Sequence, residues 1–329
     1  MLLDKKVYKN EAQYEKKLAR VYQSQISEMS KSVEAFIFKY AKDNKLSYKG
    51  AEQALTGVDL DDYNERIKGL SMKYKQTGDE KALEDLELIG KQRSITRLGG
   101  LINELTVMLG LLSVDTQMSM DELLGETYQE AYYQTAFNIV QGVGMALPVA
   151  RVNKDALDTI LKYPFSGKHY SDRIWTNKSK MIEALREELI RGAVQGTEVR
   201  KLAKNIRSKL DVSKFNAMRL MRTETAFVVG EGTAKGYEQM GVQKYQILAT
   251  LDSKTSKVCQ HQDGKVYLLS ERVQGRNASP FHPMCRSTEV PYIEANKDGG
   301  SRLARGSDGK NYKVPRNITY KEWEKKYVK

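Results

Sequence analysis

At 329 residues, with 40% hydrophobic and 29% charged side chains, the chain is long enough for two or three domains with buried cores, and its balance is not that of a disordered protein. A formal net charge of +12 favours a polyanionic partner, either nucleic acid or an acidic protein surface. Two cysteines exclude a disulfide framework, MLLDKKVYKN is no signal peptide, and the most apolar run, 98–112, is interrupted by Asn103 and Glu104; the sequence therefore leads us to expect a protein made in a reducing cytoplasm, with no membrane partner.

In chain order, residues 10–41 read as one long polar helix, with Leu18, Val21, Tyr22, Ile26, Met29 and Val33 recurring at three- and four-residue steps. Shorter helices are expected between Ser47 and Lys91, where Gly57 and then the acidic pair Asp61-Asp62 mark a start. Ile95 to Leu112 predicts a core helix. Met118 to Val143 predicts a second, ended by Gly142 and Gly144, with Pro148 beyond. Tyr163 to Trp175 is loop by its Pro, Gly and Ser content. Ser171 or Asp172 then caps a helix reaching about Arg191; Thr197 starts another that ends near Leu210; Ser213 caps a third that reaches Met240 and closes on Gly241 as a left-handed cap.

Beyond Gly241 the period changes from helical to alternating. Tyr245, Ile247, Ala249 and Leu251 form the more apolar face of a strand. Lys265 to Leu269 predicts a second strand, entered through the Asp263-Gly264 turn, and Thr288 to Ile293 a third. The expected fold is mainly α with a small α+β C-terminal module, short antiparallel strands around a Cys/His cluster. The expected divisions are a helical N-terminal body (1–150), a helical part (151–243), the strand-containing Cys/His module (244–294) and a basic tail (295–329).

Scarce residue types crowd into 251–292: both cysteines, two of the three histidines and three of the six prolines. Cys259-Gln-His261 and His282-Pro-Met-Cys285 form two pairs whose thiolate and imidazole ligands suit a tetrahedral zinc ion. The same residues also read as two buried free cysteines with hydrogen-bonded histidines, or as a Cys259–Cys285 disulfide. Two catalytic readings compete with these: Cys259 as a nucleophile with His282 as its base, or Asp252, Asp263 and His282 around a hydrolytic metal, which would make the protein a metal-dependent nuclease or effector. Neither is accompanied by a Gly-rich phosphate loop or an H-E-x-x-H helix, so a non-enzyme is expected.

Arg222-Thr-Glu-Thr225 falls inside a predicted helix. Arg222 either anchors the strand module or an acidic partner, or makes an ordinary intrahelical ion pair. In 295–329, ten Lys or Arg stand against four Asp or Glu, interleaved with Tyr312, Tyr320, Trp323 and Tyr327. Arg302, Arg305, Lys310, Lys313 and Arg316 are the candidate DNA contacts. The competing reading of the tail has Thr319 cap a short helix that docks Tyr320 and Trp323 on the body.

Several of these motifs form a set: Ser171-Asp-Arg-Ile-Trp175, the Gly196 turn, Arg222-Thr-Glu-Thr225, Leu251-Asp252 with Thr255, Cys259 four residues before Asp263-Gly264, and Pro280-Phe-His-Pro-Met-Cys-Arg286 followed by Val290-Pro291. On these residues the stretch 163–292 resembles the phage head morphogenesis family, minor capsid proteins similar to protein F of phage Mu. The resemblance implies a structural part inside a phage head, in few copies, with the portal protein and procapsid or scaffold proteins as partners. It implies contact with packaged phage DNA or help in its packaging or ejection, and a location in the virion after assembly in the host cytoplasm. It further implies metal binding through the Cys and His of the module, with His261 outside the family's pattern, and structural roles for Trp175, Arg222, Glu224, Asp252, Asp263, Gly264 and Arg286. A toxin or transferase domain, carried by some relatives, is not expected to follow the module here.

Overall fold

A computed structural model describes residues 5–41, 60–90, 96–143, 148–195, 197, 199–292, 300–306 and 308–328. Among them the chain is mainly α, with short antiparallel strands confined to the C-terminal part. It divides into two compact units, one made of 14–120 and 168–218, the other of 1–13, 121–167 and 219–329.

The first unit is helical. Helix α1 (Lys5–Ala41) buries Leu18, Tyr22, Ile26, Met29 and Val33, the stripe read from the sequence. Helices α2 (Leu60–Gln76) and α3 (Glu80–Gly90) follow, joined through Gly78, whose φ of +67° needs a residue without Cβ. The Asp79 carboxylate accepts the amides of Lys81 and Ala82 at 3.0 and 3.2 Å and so caps α3. The expected helices between Ser47 and Leu60 lie outside the described residues.

Helix α4 (Arg97–Val143) corrects an expectation: the two predicted helices are one element of 47 residues. Nothing between 113 and 117 breaks it. Ser113 and Thr116 donate their hydroxyls to the carbonyls of Leu109 and Leu112 one turn back. By length and composition α4 could cross a membrane, but Leu101, Ile102, Leu105, Met108, Leu109 and Leu112 are all buried in the protein.

Helix α6 begins at Tyr170 and runs to Val194, so the predicted loop at 163–175 ends six residues early and Trp175 is helical. Ser171 Oγ and Trp175 Nε1 both donate to Gln117 Oε1, at 2.7 and 3.2 Å, which orders this helix start against α4. Below it, Asp85 accepts the Tyr74 hydroxyl at 2.5 Å and pairs with the Lys178 ammonium, which burial pulls below its usual pKa. Tyr74 lies against Gly110, where a Cβ would fall inside the tyrosine hydroxyl and ring.

The second unit takes the later half of α4, the short helix α5 (Lys154–Leu161) capped by Asn153, the later part of α7 (Val199–Gln239) and all strands. Helix α7 is again one element where two were predicted; Ser213 is an interior residue with no Gly or Pro near it. Its end is as expected: Gly241 has φ +67°, and the Val242 amide returns to the Tyr237 carbonyl at 2.9 Å. Gly232 and Gly236 allow α7 to touch α4; Cβ atoms there would come within 2.6 Å of the Tyr128 carbonyl oxygen and 2.8 Å of Thr135 Cβ.

Strand β1 (Lys244–Leu248) is central in a three-stranded antiparallel sheet of order β2–β1–β3, with β2 at Val266–Leu268 and β3 at Thr288–Pro291. Tyr245, Ile247, Ala249 and Leu251 are all buried, as the alternation predicts. The tail is folded as well. Strands β4 (Ser301–Arg305) and β5 (Asn311–Pro315) pair as a hairpin, a feature the sequence reading lacks. Helix α9 (Tyr320–Tyr327) starts with the predicted Thr319 cap, completed by Glu322 as a capping box. Leu251, Ala304, Val314, Tyr320 and Trp323 form one buried cluster, so the docked reading of the tail holds.

Candidate metal centre

The Cys/His centre is built by a one-and-a-half-turn helix and a tight loop. Helix α8 (Lys257–Gln262) is capped by Ser256, whose Oγ accepts the Cys259 amide at 3.3 Å, and it points Cys259 inward. The second half comes from the loop before β3. There Met284 adopts φ +59°, an uncommon conformation for a residue with a side chain. Its amide donates to Thr223 Oγ1 of α7 at 3.1 Å, and the Cys285 amide donates to the His282 carbonyl at 3.1 Å. Thr223 of the Arg222-Thr-Glu-Thr225 motif thus holds the loop that turns His282 and Cys285 toward Cys259. Arg222 beside it is half-buried and Glu224 is buried.

Cys259 Sγ lies 3.1 Å from His282 Nε2 and 3.6 Å from Cys285 Sγ, and the three donor atoms lie within 4.8 Å of one another. Both cysteines are buried and unbonded to each other, so the centre is a dithiol and not the disulfide of the third sequence reading. His282 Nδ1 donates to the Pro283 carbonyl at 2.8 Å, which leaves the Nε2 lone pair on the sulfur side. The two thiols share a proton, and backbone amides of Phe281 and Ser287 also point at the Cys285 sulfur, which holds Cys285 below the usual thiol range; the same shared proton, with burial, pushes Cys259 up. Thiolate and neutral imidazole are the forms in which such side chains ligate a metal ion. Two sulfurs sharing a tetrahedral ion at Zn–S distances of about 2.3 Å lie about 3.8 Å apart, close to the 3.6 Å found. The cluster fits a metal ion.

His261 is not part of it. At about 100° per residue, position 261 lies some 200° around α8 from Cys259, and its side chain is exposed. Asp252 and Asp263 do not join His282 either. Both Asp252 oxygens are taken by Arg286, at 2.5 and 2.8 Å. Asp263 is fully buried and accepts the amides of Ala249 and Tyr320 at 2.7 and 2.6 Å and the Arg302 guanidinium at 3.0 and 3.2 Å. Arg302 also donates to the carbonyls of Ala249 and Ile318, so this candidate DNA contact is committed to the fold. Arg305, Lys310 and Lys313 are exposed, and Arg316 is half-buried. Gly264, at φ +79°, packs beneath Thr319, where a Cβ would lie 3.3 Å from the threonine methyl. Trp175 belongs to the other unit.

Two residues around the centre carry no sequence signal. Arg272 bridges Glu231 of α7 at 2.6 Å and the buried Glu289 of β3 at 2.8 Å, and Glu289 also accepts the Ser279 amide. Nothing in their spacing announces this, because the partners are 17 and 41 residues away from Arg272. A Ser at 256 ahead of Val258-Cys259 is an N-cap signal that would have revealed α8, and with it the misplacement of His261.

The chain is 25% identical over 243 residues to a protein of Enterococcus faecalis (strain ATCC 700802 / V583) named NAD(+)--arginine ADP-ribosyltransferase EFV. That match takes in 70% of this chain and 49% of the relative, so the chain spans about half the length of that protein. No solved structure matches the chain. Residues 183–290 match the family described as phage Mu protein F like protein. That stretch contains the Arg222 motif, α8, the Cys259–His282–Cys285 centre and most of β3, the parts that the structure builds into one framework, and over it the chain is similar to the phage Mu protein F like family.

Proposed function

We propose that this protein is a structural minor head protein of a tailed phage, acting in head assembly at the portal and in the handling of packaged DNA. The observation that carries this reading is the family match over 183–290, which coincides with the framework around the metal centre. The helical unit supplies the surface for the portal and for procapsid or scaffold proteins. Arg305, Lys310 and Lys313, exposed on the β4–β5 hairpin, supply the charge that faces DNA. The protein is made in the host cytoplasm and ends in the virion. Cys259, His282 and Cys285 hold a zinc ion, which cross-links α8 to the loop before β3 beside the small apolar cluster of Ala249, Cys259, Cys285 and Phe281.

The experiment is a comparison of phage particles assembled with the native protein, without it, and with Arg305, Lys310 and Lys313 changed to Ala. Deletion is expected to give defective heads lacking this protein at the portal; the triple variant is expected to assemble but to package or eject DNA poorly. Normal infectious heads in its absence, together with no co-sedimentation with portal protein, would end the reading. The alternative, a metal-dependent nuclease or effector on Asp252, Asp263 and His282, has no geometric support, since both carboxylates are bound to arginines. The activity in the name of the Enterococcus relative is not extended to this chain, which spans about half of that protein.

A further inference from the structure

We propose that the metal centre uses three ligands from this chain, Cys259, His282 and Cys285, and leaves the fourth position of its zinc ion open to a small exchangeable oxygen or nitrogen donor. The inference rests on the zinc reading above and adds to it the ligand set and the class of ligand that completes it.

Three observations carry it. First, the fourth ligand suggested by the sequence, His261, is excluded by helix geometry, and among the described residues no other Cys, His, Asp or Glu joins the group. The nearest candidate carboxylates on either side of α8, Asp252 and Asp263, are bound to Arg286 and Arg302. Second, the remaining polar groups facing the cluster are hydroxyls. Ser256 Oγ lies 2.8 Å from His282 Nε2. The buried Ser287 hydroxyl is directed at both sulfurs. Third, the burial is one-sided. Cys259 and Cys285 form the closed side, while His282 and Ser256 are half-buried and face solvent.

The charges agree with this. Two thiolates and a neutral imidazole already balance a divalent zinc ion, so a neutral donor such as water or imidazole completes the site without leaving a net charge in the module. Zinc with two sulfurs, one nitrogen and one exchangeable position is a known coordination type, distinct from structural sites closed by four protein ligands. The Ser256 and Ser287 hydroxyls then orient the incoming donor in the way that hydrogen-bonding neighbours orient the ligands of other metal sites.

The test uses the full chain purified under reducing conditions, with elemental analysis and replacement of zinc by cobalt(II). About one metal ion per chain is expected in the wild type and in His261→Ala, and clear loss of metal in Cys285→Ser and His282→Ala. The wild-type cobalt form should show thiolate charge-transfer bands, and its visible bands should shift on titration with imidazole. This reading needs no variant and is safe from misfolding. The Ser256→Ala/Ser287→Ala variant should keep the metal and change its imidazole affinity by about 10-fold or more. Loss of metal in His261→Ala, or a cobalt spectrum indifferent to saturating imidazole, would show a closed site and overturn the proposal while leaving zinc in place. A metal-free wild type would overturn the zinc reading itself, and leave the head-assembly role to its own experiment.

Discussion

The helical unit and the strand module bury their chains by different means. In the helical unit, α1 and α4 place long apolar stripes in the core, and polar groups are the exception, as in Tyr74–Asp85–Lys178. In the strand module the strands are three to five residues long and cannot make such stripes. Their positions are set by carboxylates: Asp263 joins β1, the tail hairpin and the start of α9, Glu289 joins β3 to Arg272 and α7, and Asp252 joins β1's exit to Arg286 beside the metal centre. Charged hydrogen bonds specify geometry well, but their desolvation offsets much of their attraction, so the module is held in register more than it is made stable. The difference teaches that single polar atoms matter most in the module and shape matters most in the helices.

The largest test of this contrast is Asp263→Ala. It strips the counter-charge from Arg302, whose side chain is 8% exposed, and leaves the Ala249 and Tyr320 amides without their acceptor. Removing one partner of a buried ion pair costs about 3–5 kcal/mol. Urea unfolding followed by Trp fluorescence should show that loss, with the signal of Trp323 moving toward that of a solvated indole. A loss below about 1 kcal/mol would mean that the apolar cluster around Trp323 holds the tail without the carboxylate.

In the helices the corresponding test is steric. Gly110→Ala forces a methyl group into Tyr74, and overpacking of this kind costs about 1–3 kcal/mol. Gly110→Ala combined with Tyr74→Leu should recover part of it, because the shorter side chain vacates the space. Thermal unfolding of the two variants decides the matter. Equal melting temperatures for Gly110→Ala and the wild type would show that α2 does not press on α4 at this point.

The same contrast explains what was legible in the sequence. Apolar periodicity revealed α1, the first half of α4 and β1, since these bury what they appear to bury. It failed at the tail hairpin, where the pattern is inverted: Leu303 is 51% exposed while Arg302 points inward to Asp263. No hydrophobicity rule places an arginine in a core, because its burial depends on a carboxylate 39 residues away. A polar residue also misled in the long helices, where Ser213 reads as a cap although the backbone continues. The Cys/His density marked the centre correctly, but Cys-x-His reads as a ligand pair only on an extended chain. On α8 it separates the two side chains.

The smallest test concerns pH. Arg286 hydrogen-bonds both oxygens of Asp252 and so holds its carboxyl below the usual carboxylate range, with the Lys254 amide and Thr255 hydroxyl helping. A carboxyl whose folded-state pKa is depressed stabilises the fold fully above the unfolded-state value of about 3.9, and that contribution is lost as the pH falls through the lower, folded value. Arg286 is 45% exposed, so solvent screens the pair and about 0.5–1 kcal/mol is at stake. The stability gap between wild type and Asp252→Asn should therefore be steady from pH 7 to about pH 5 and shrink below about pH 4. A gap that stays constant down to pH 3 would assign the contribution of Asp252 to its backbone and Thr255 contacts, which Asn preserves in part, and would remove Arg286 from the bonds that hold the module in register.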